Sequence, residues 1–206
     1  MREMPNRNRN RREEKVNHIL QASLKVLATK GYENATIADI SNAAHVSRGI
    51  LHYYFTDKED LVSKALAKSS SSLIQSSLVG IKGNSAEEVV DEILNRYLVN
   101  LQQHPEFYAF LFEMWCVSRR SKKIKSELEG CIEKVVISIE KLLENIGNNS
   151  SMLISSHDES KEIAKALLAL SDGIAFHLLI NHSENLKNKK FWLLIKNMML
   201  AVLKRR

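Results

Sequence analysis

At 206 residues and 44% hydrophobic content, the chain can hold one small domain and one larger one, each with a real core. A formal charge of +6 at pH 7 fits a polyanionic partner, while two cysteines, Cys116 and Cys131, are too few for a secreted disulfide scaffold or a metal site of their own and point to a reducing cytoplasm. No apolar run is expected to reach membrane-spanning length, the N-terminus lacks the hydrophobic core of a signal peptide, and seven glycines and two prolines leave long stretches free for helix.

The chain opens with Arg2, Arg7, Arg9, Arg11 and Arg12 among asparagines and a proline. That stretch is too polar to pack and is expected to be a disordered arm, either draped along phosphates or simply solvated. Val16, Ile19, Leu20, Ser23, Val26 and Leu27 then recur at helical spacing. Gly31 should end this helix, because glycine takes the left-handed conformation cheaply. Thr36 and Asp39 have the spacing of a capping box, with Ala35 and Ile40 as its hydrophobic staple. They open a short helix with Ile37, Ile40, Ala43 and Ala44 turned inward.

A bend at His45 and Val46 leads to a new start capped by Ser47. Two helices joined by so short a turn cross steeply, as in a helix-turn-helix whose second helix enters a major groove. On that second helix Val46, Ile50 and Leu51 face the core, leaving Arg48, Gly49, His52 and Tyr53 outside. Arginine offers a planar fork for guanine or phosphate, Tyr53 and Tyr54 carry hydroxyls for phosphate oxygens, and Gly49 has no side chain to hold the helix off. Thr56 and Glu59 repeat the capping-box spacing, and Lys58 adds positive charge to a helix N-terminus that already favours phosphate. Each cap or tyrosine taken singly suits any helical protein; the joint spacing is what points to DNA.

The order and spacing of Gly31, Thr36, Ile40, Ala43, Val46, Ser47, Gly49, Tyr54, Phe55, Lys58, Glu59 and Leu61 closely resemble the DNA-binding region of the TetR family of bacterial transcriptional regulators. The resemblance covers the first third of the chain in motifs and the whole chain in length and helical layout. It implies phosphate contacts from Thr36, Ser47, Tyr53, Tyr54 and Lys58, with Arg48, Gly49 and His52 nearest base edges. Many members carry tyrosine where this chain has His52, so an operator sequence does not transfer by analogy.

Beyond a DNA-binding domain of residues 1–61, residues 62–206 read as a larger helical domain, making an all-α protein of about nine helices. Val62 to Gly80 is a serine-interrupted, marginal connector helix, since Ser69 to Ser72, Ser76 and Ser77 lower helix propensity. Ser85 with Glu88 starts a helix to about Gln103, Pro105 opens one to Ser118, and Ser121 opens one that Gly147 closes. Asn148 to Ser155 reads as loop. Ser156 with Glu159 caps a helix to about Asn181, and a last helix spans about Asn188 to Lys204.

The last two helices are apolar on more than one face. By resemblance they form a four-helix bundle between two subunits, with Leu167, Leu170, Gly173, Ile174, Ile195, Met198, Met199 and Val202 at the interface; packing of Gly173 within its own chain is the competing account. Phe107, Phe110, Leu111, Met114 and Trp115 form a stripe at i, i+3, i+4, i+7 and i+8, the usual signature of core. In the family the middle of the larger domain binds a small effector, so this stripe, with Tyr97, Cys131, Phe176 and His177, is expected to line a pocket. Aromatic faces with the Glu113 carboxylate would suit a cationic or amphipathic ligand.

The resemblance thus implies a homodimeric regulator, most often a repressor released from a palindromic operator by a small-molecule effector. A DNA-binding architectural or protein-docking factor of the same fold, without an effector, stays open. No cofactor or metal is called for. The seven histidines show no HExxH spacing, and neither a phosphate-binding glycine loop nor a nucleophile elbow is present, which argues against an enzyme.

Overall fold

The computed structural model describes residues 7–83, 85–147, 157–180 and 188–203. Among the described residues run nine helices and no strand: α1 (Arg7–Asn34), α2 (Ile37–Ala43), α3 (Arg48–Tyr54), α4 (Lys58–Ser77), α5 (Ala86–Gln103), α6 (Pro105–Ser118), α7 (Lys122–Gly147), α8 (His157–Ile180) and α9 (Lys189–Leu203).

The N-terminal arginines depart from the expected arm. Helix α1 already begins at Arg7, so Arg11 and Arg12 project from a helix, exposed; Arg2 lies outside the described residues. Arginine and glutamate are good helix formers, and a helix nucleated on the apolar stripe from Val16 onward propagates backward through them at little cost. At the other end Gly31 interrupts α1 with φ 73° and ψ 165°, a conformation essentially reserved for glycine.

Caps explain most of the remaining boundaries. Thr36 accepts from the Asp39 N–H while the Asp39 carboxylate accepts from the Thr36 N–H, a complete capping box. Ala35 and Ile40, the staple pair, are both buried. Ser47 caps α3, Ser85 caps α5 and Ser121 caps α7. Asn188 accepts from the Lys190 and Phe191 N–H groups at the start of α9. Ser156 and the loop expected over Asn148 to Ser155 lie outside the described residues.

The cap of α4 is shifted by one residue from the expected Thr56 and Glu59. Asp57 accepts from the Asp60 N–H at 2.6 Å, and the Asp60 carboxylate accepts from the Thr56 N–H at 3.1 Å. Glu59 instead accepts from the Ser121 hydroxyl. An aspartate one residue further along reaches the orphan amide as well as the threonine would. In the connector, Ser69 and Ser70 are buried, and Ser77 accepts a hydrogen bond from Asn100 of α5. The serines that lower local propensity thus allow close packing, and α4 runs unbroken to Ser77.

Two compact units emerge: Met1–Ser69 with Ala109–Leu128, and Ser70–Tyr108 with Glu129–Arg206. The boundary expected between residues 61 and 62 falls inside α4. In the first unit α1 packs on α2 and α2 on α3 around Ile19, Leu27, Ile40, Leu51, Leu61 and Leu66, joined by Phe110, Met114 and Ile124 from the later segment. In the second unit α5 and α8 pack against α9 around Val89, Val90, Leu143, Ile174 and Leu203. By length and composition Glu159–Ile180 of α8 is apolar enough to cross a membrane, contrary to the sequence expectation. Its hydropathy is spread around the helix, so that much of its apolar surface is left uncovered within the chain: Phe176 and Ile180 are more than half exposed.

Candidate nucleic-acid interface

Helix α3 owes its placement to one buried residue and one strained one. Leu51, 1% exposed, anchors it to the core, while Val46 and Ile50 are half-buried. His45 adopts φ 51° and turns the chain between α2 and α3; histidine, with its polar ring, is among the residues seen in that region. The Ala44 carbonyl just before it accepts from His18 Nε2 of α1 at 3.0 Å, tying the turn to the first helix. Ala43, expected inward, is exposed, and its place is taken by the small buried Ser41.

The outward face is as the spacing requires. Ser47, Arg48, Gly49, His52 and Tyr53 are exposed, and Tyr54 is half-buried. Tyr53 and Tyr54 meet edge to face at 4.9 Å, fixing both hydroxyls relative to the helix. A Cβ at Gly49 would meet only the Ser47 hydroxyl at 3.8 Å, so glycine is not demanded by packing and leaves α3 open to close approach. Thr36 lies exposed beside its cap partner. Lys30, then the Thr36 N–H and hydroxyl, hold the Asp39 carboxyl down to about 2.

Lys58, expected to add charge at the N-terminus of α4, also serves its own chain. Its Nζ donates to the Tyr32 carbonyl at 2.6 Å and the Ala35 carbonyl at 3.0 Å, and it sits 4.3 Å from the centre of the Tyr32 ring. A half-buried ammonium therefore satisfies carbonyls at the end of α1. Burial first, and Glu59 next, raise the Tyr32 hydroxyl above its ordinary range.

Two residues outside the expected site join it. Arg12 holds its guanidinium 5.9 Å from the Tyr53 ring and 5.7 Å from that of Tyr54, putting a cation beside the recognition face. Only continuation of the α1 pattern into the arginine run would have signalled it. Glu113, expected near an effector, accepts from the Tyr32 N–H at 2.6 Å, just past the break at Gly31. With the Arg120–Glu33 ion pair at 3.1 Å and the Ser121–Glu59 bond, it fastens the α6–α7 corner to the DNA-binding head. Separations of 62 to 87 residues leave no local signal for such pairs.

The residues expected to line an effector pocket divide between the units. Phe110 and Met114 are fully buried and Leu111 half-buried in the first unit, where Trp115 is exposed. Tyr97, Phe107 and Cys131 are covered in the second, where Phe176 and His177 face outward. Of the expected dimer residues, Ile174, Ile195 and Met199 are buried in their own chain; Leu167, Leu170 and Val202 are half-buried, while Gly173 and Met198 are exposed. A Cβ at Gly173 would meet nothing within 4 Å among the described residues, so close packing against them is not the reason for that glycine. The uncovered apolar side chains beside these positions are Phe176, Ile180, Leu193 and Leu194.

A short capped helix, a four-residue turn and a second helix showing arginine, glycine, histidine and tyrosine to solvent define a helix-turn-helix DNA-binding protein. Residues 19–65 match the model of the bacterial regulatory proteins of the TetR family. The chain is 26% identical over 159 residues to the HTH-type transcriptional regulator BetI of Vibrio atlanticus, covering 76% of each chain. It is 34% identical over 56 residues to AcrR of Shigella flexneri, covering 27% of this chain and 26% of that one. In fold it is similar to GusR of Salmonella enterica, with a TM-score of 0.78 at 17% identity over 93% of this chain and 96% of the other. A TetR transcription regulator from Haloarcula marismortui gives 0.69 at 18% identity over 93% and 97%. Residues 19–65 are thus a DNA-binding domain of the TetR-family type, and the chain is a DNA-binding transcriptional regulator.

Proposed function

We propose that this regulator is a cytoplasmic homodimeric repressor that leaves a palindromic operator when a small molecule binds its helical domain. The observation that carries the DNA half is the exposure of Arg48, Gly49, His52 and Tyr53 on a helix anchored by the buried Leu51. Arg48, Gly49 and His52 meet base edges, and Thr36, Ser47, Tyr53 and Tyr54 meet phosphates. Lys58 has one N–H beyond the two it gives to carbonyls, and that N–H serves a phosphate. Uncovered apolar side chains on α8 and α9 support the dimer. A two-fold axis would set two recognition helices about 34 Å apart, one turn of DNA, and require a near-palindromic site.

The effector acts by preferring a form whose recognition helices are wrongly spaced, and it shifts the population by no more than its differential affinity. Selecting fragments of the source genome on purified protein, then titrating the best one against a scrambled duplex, tests the whole reading. A palindromic site bound about a thousandfold more tightly than the scramble is expected. Equal, steeply salt-dependent binding to both would leave a non-specific DNA-binding factor in its place.

Arg48→Ala should cost about 1 to 3 kcal/mol on the selected site and flatten its sequence preference. Equal loss on both duplexes would move the guanidinium from base to phosphate. Lys58→Met should lower the melting temperature, because two carbonyls lose a charged donor, and should reduce the slope of log K against log salt by about one. A slope that stays put would leave Lys58 a tether only.

A further inference from the structure

The second unit contains a polar cluster that the fold does not use. Tyr108 is 3% exposed, and its hydroxyl finds no hydrogen-bond partner among the described residues. Asp172 of α8 lies close enough to disfavour ionisation of both Tyr108 and Tyr97, yet it makes no hydrogen bond or ion pair among the described residues. Tyr97 donates its hydroxyl proton to the Ser171 carbonyl, which leaves its oxygen as an acceptor only, with the Ala175 N–H already turned toward it and one lone pair to spare. The Tyr97 and Tyr108 rings stand 6.2 Å apart at 83°, and the Phe107 ring flanks Tyr108 at 5.2 Å. Native proteins satisfy nearly all buried polar groups, so an orphaned hydroxyl beside an unpaired carboxylate calls for an explanation.

The inventory of atoms says what is missing. The carboxylate and the Tyr97 oxygen can only accept, and Tyr108 can do either. No cation balances Asp172 among the described residues, and burial pushes its carboxyl up to about 6. A partner that satisfies this set carries positive charge and at least two N–H donors, and its carbon body can lie against aromatic faces. A quaternary ammonium would neutralise the charge but give no donor to the carboxylate or to the Tyr108 oxygen. A carboxylate or phosphate would be repelled.

We propose that Asp172, Tyr97 and Tyr108 form a binding site for a protonated primary amine, with Asp172 as counter-ion, the two phenolic oxygens as further acceptors and the tyrosine rings as walls. This rests on the reading of the helical domain as the effector domain and gives that effector its chemical class. Tyr108 packs at the start of α6 and Asp172 in the middle of α8, so an occupant links two helices distant in sequence.

Calorimetric titration of the full chain without DNA, at pH 7.5, tests the site with propyl-, hexyl- and phenethylammonium chloride against hexyltrimethylammonium, hexanol and hexanoate. At least one primary ammonium should bind about tenfold more tightly than every control. Asp172→Asn, shown folded by circular dichroism, should abolish that binding, and Tyr108→Phe should weaken it several-fold. Failure of all three primary ammoniums, binding retained by Asp172→Asn, or equal binding of the quaternary ion overturns the proposal. Repeating the titrations on protein loaded with its selected genomic fragment separates the two readings. An amine that binds through Asp172 and leaves DNA occupancy unchanged upholds the site and ends the release mechanism. Release by hexanoate alone upholds release and ends the amine site.

Discussion

Replacing the half-buried Asp172 by asparagine is expected to stabilise the protein by about 3 kcal/mol at pH 7.5, an unusual direction for removing a charge. Burial raises its carboxyl from an ordinary 3.8 to about 6, and each pH unit of displacement is worth 1.36 kcal/mol, roughly, between the two protonation states. Because the folded form holds the proton more tightly than the unfolded chain, the folded state binds more protons between those values. Stability therefore falls as pH rises from about 4 to about 6, and it stays low above that range. Asparagine carries no charge at any of these values. The gap between variant and wild type should close near pH 4 and open to its full size above pH 6.5. Urea unfolding followed by circular dichroism at pH 4, 5.5 and 7.5 measures it. A gap independent of pH would show that the carboxylate is not the unstable element. The stability given up at neutral pH is what a ligand cation would restore.

Gly31→Ala should destabilise the first unit by about 3 kcal/mol, from two sources. A side chain at φ 73° and ψ 165° is strained by itself, at about 1 to 3 kcal/mol. The added methyl would also sit 3.2 Å from a Glu113 carboxylate oxygen, crowding the bond that this carboxylate accepts from the Tyr32 N–H. A hydrogen bond to a charged group contributes roughly 1.5 to 3 kcal/mol. Thr36 and its capping box follow five residues later, so DNA affinity should fall with stability. Glu113→Gln keeps an acceptor in place and should retain most of both. Unfolding midpoints and DNA titrations for the two variants decide it, and an unshifted midpoint in Gly31→Ala would mean that the break in α1 is not enforced by this residue.

How much of this was legible in the sequence depends on the range of the interaction. Caps and turns are written within three or four residues, so Thr36–Asp39, Ser47, Ser85, Pro105 and Ser121 place their helices correctly. The α4 cap slipped by one residue because Thr56 and Asp57 are both good caps and local pattern cannot rank them. The outward face of α3 was legible because one buried leucine fixes the rotation of a seven-residue helix. The tethering role of Lys58 was not legible, because a helix N-terminus advertises a phosphate, whereas the carbonyls it serves lie 23 and 26 residues upstream. Glu113, expected beside an effector, serves the Tyr32 N–H 81 residues away for the same reason. Periodicity marks a helix face as apolar, but which carboxylate is unpaired there depends on contacts that no spacing records.

The fastening of the α6–α7 corner also limits how the protein can be taken apart. Tyr32, Glu33 and Glu59 each take a partner from residues 113, 120 and 121, and these belong to the same compact unit as the recognition helix. A chimera that exchanges only residues 1–69 between two such regulators would carry a new reading head onto a foreign corner, with three polar partners mismatched at once. Transplanting the head together with residues 109–128 keeps the set intact, so the exchangeable module here is discontinuous in the gene.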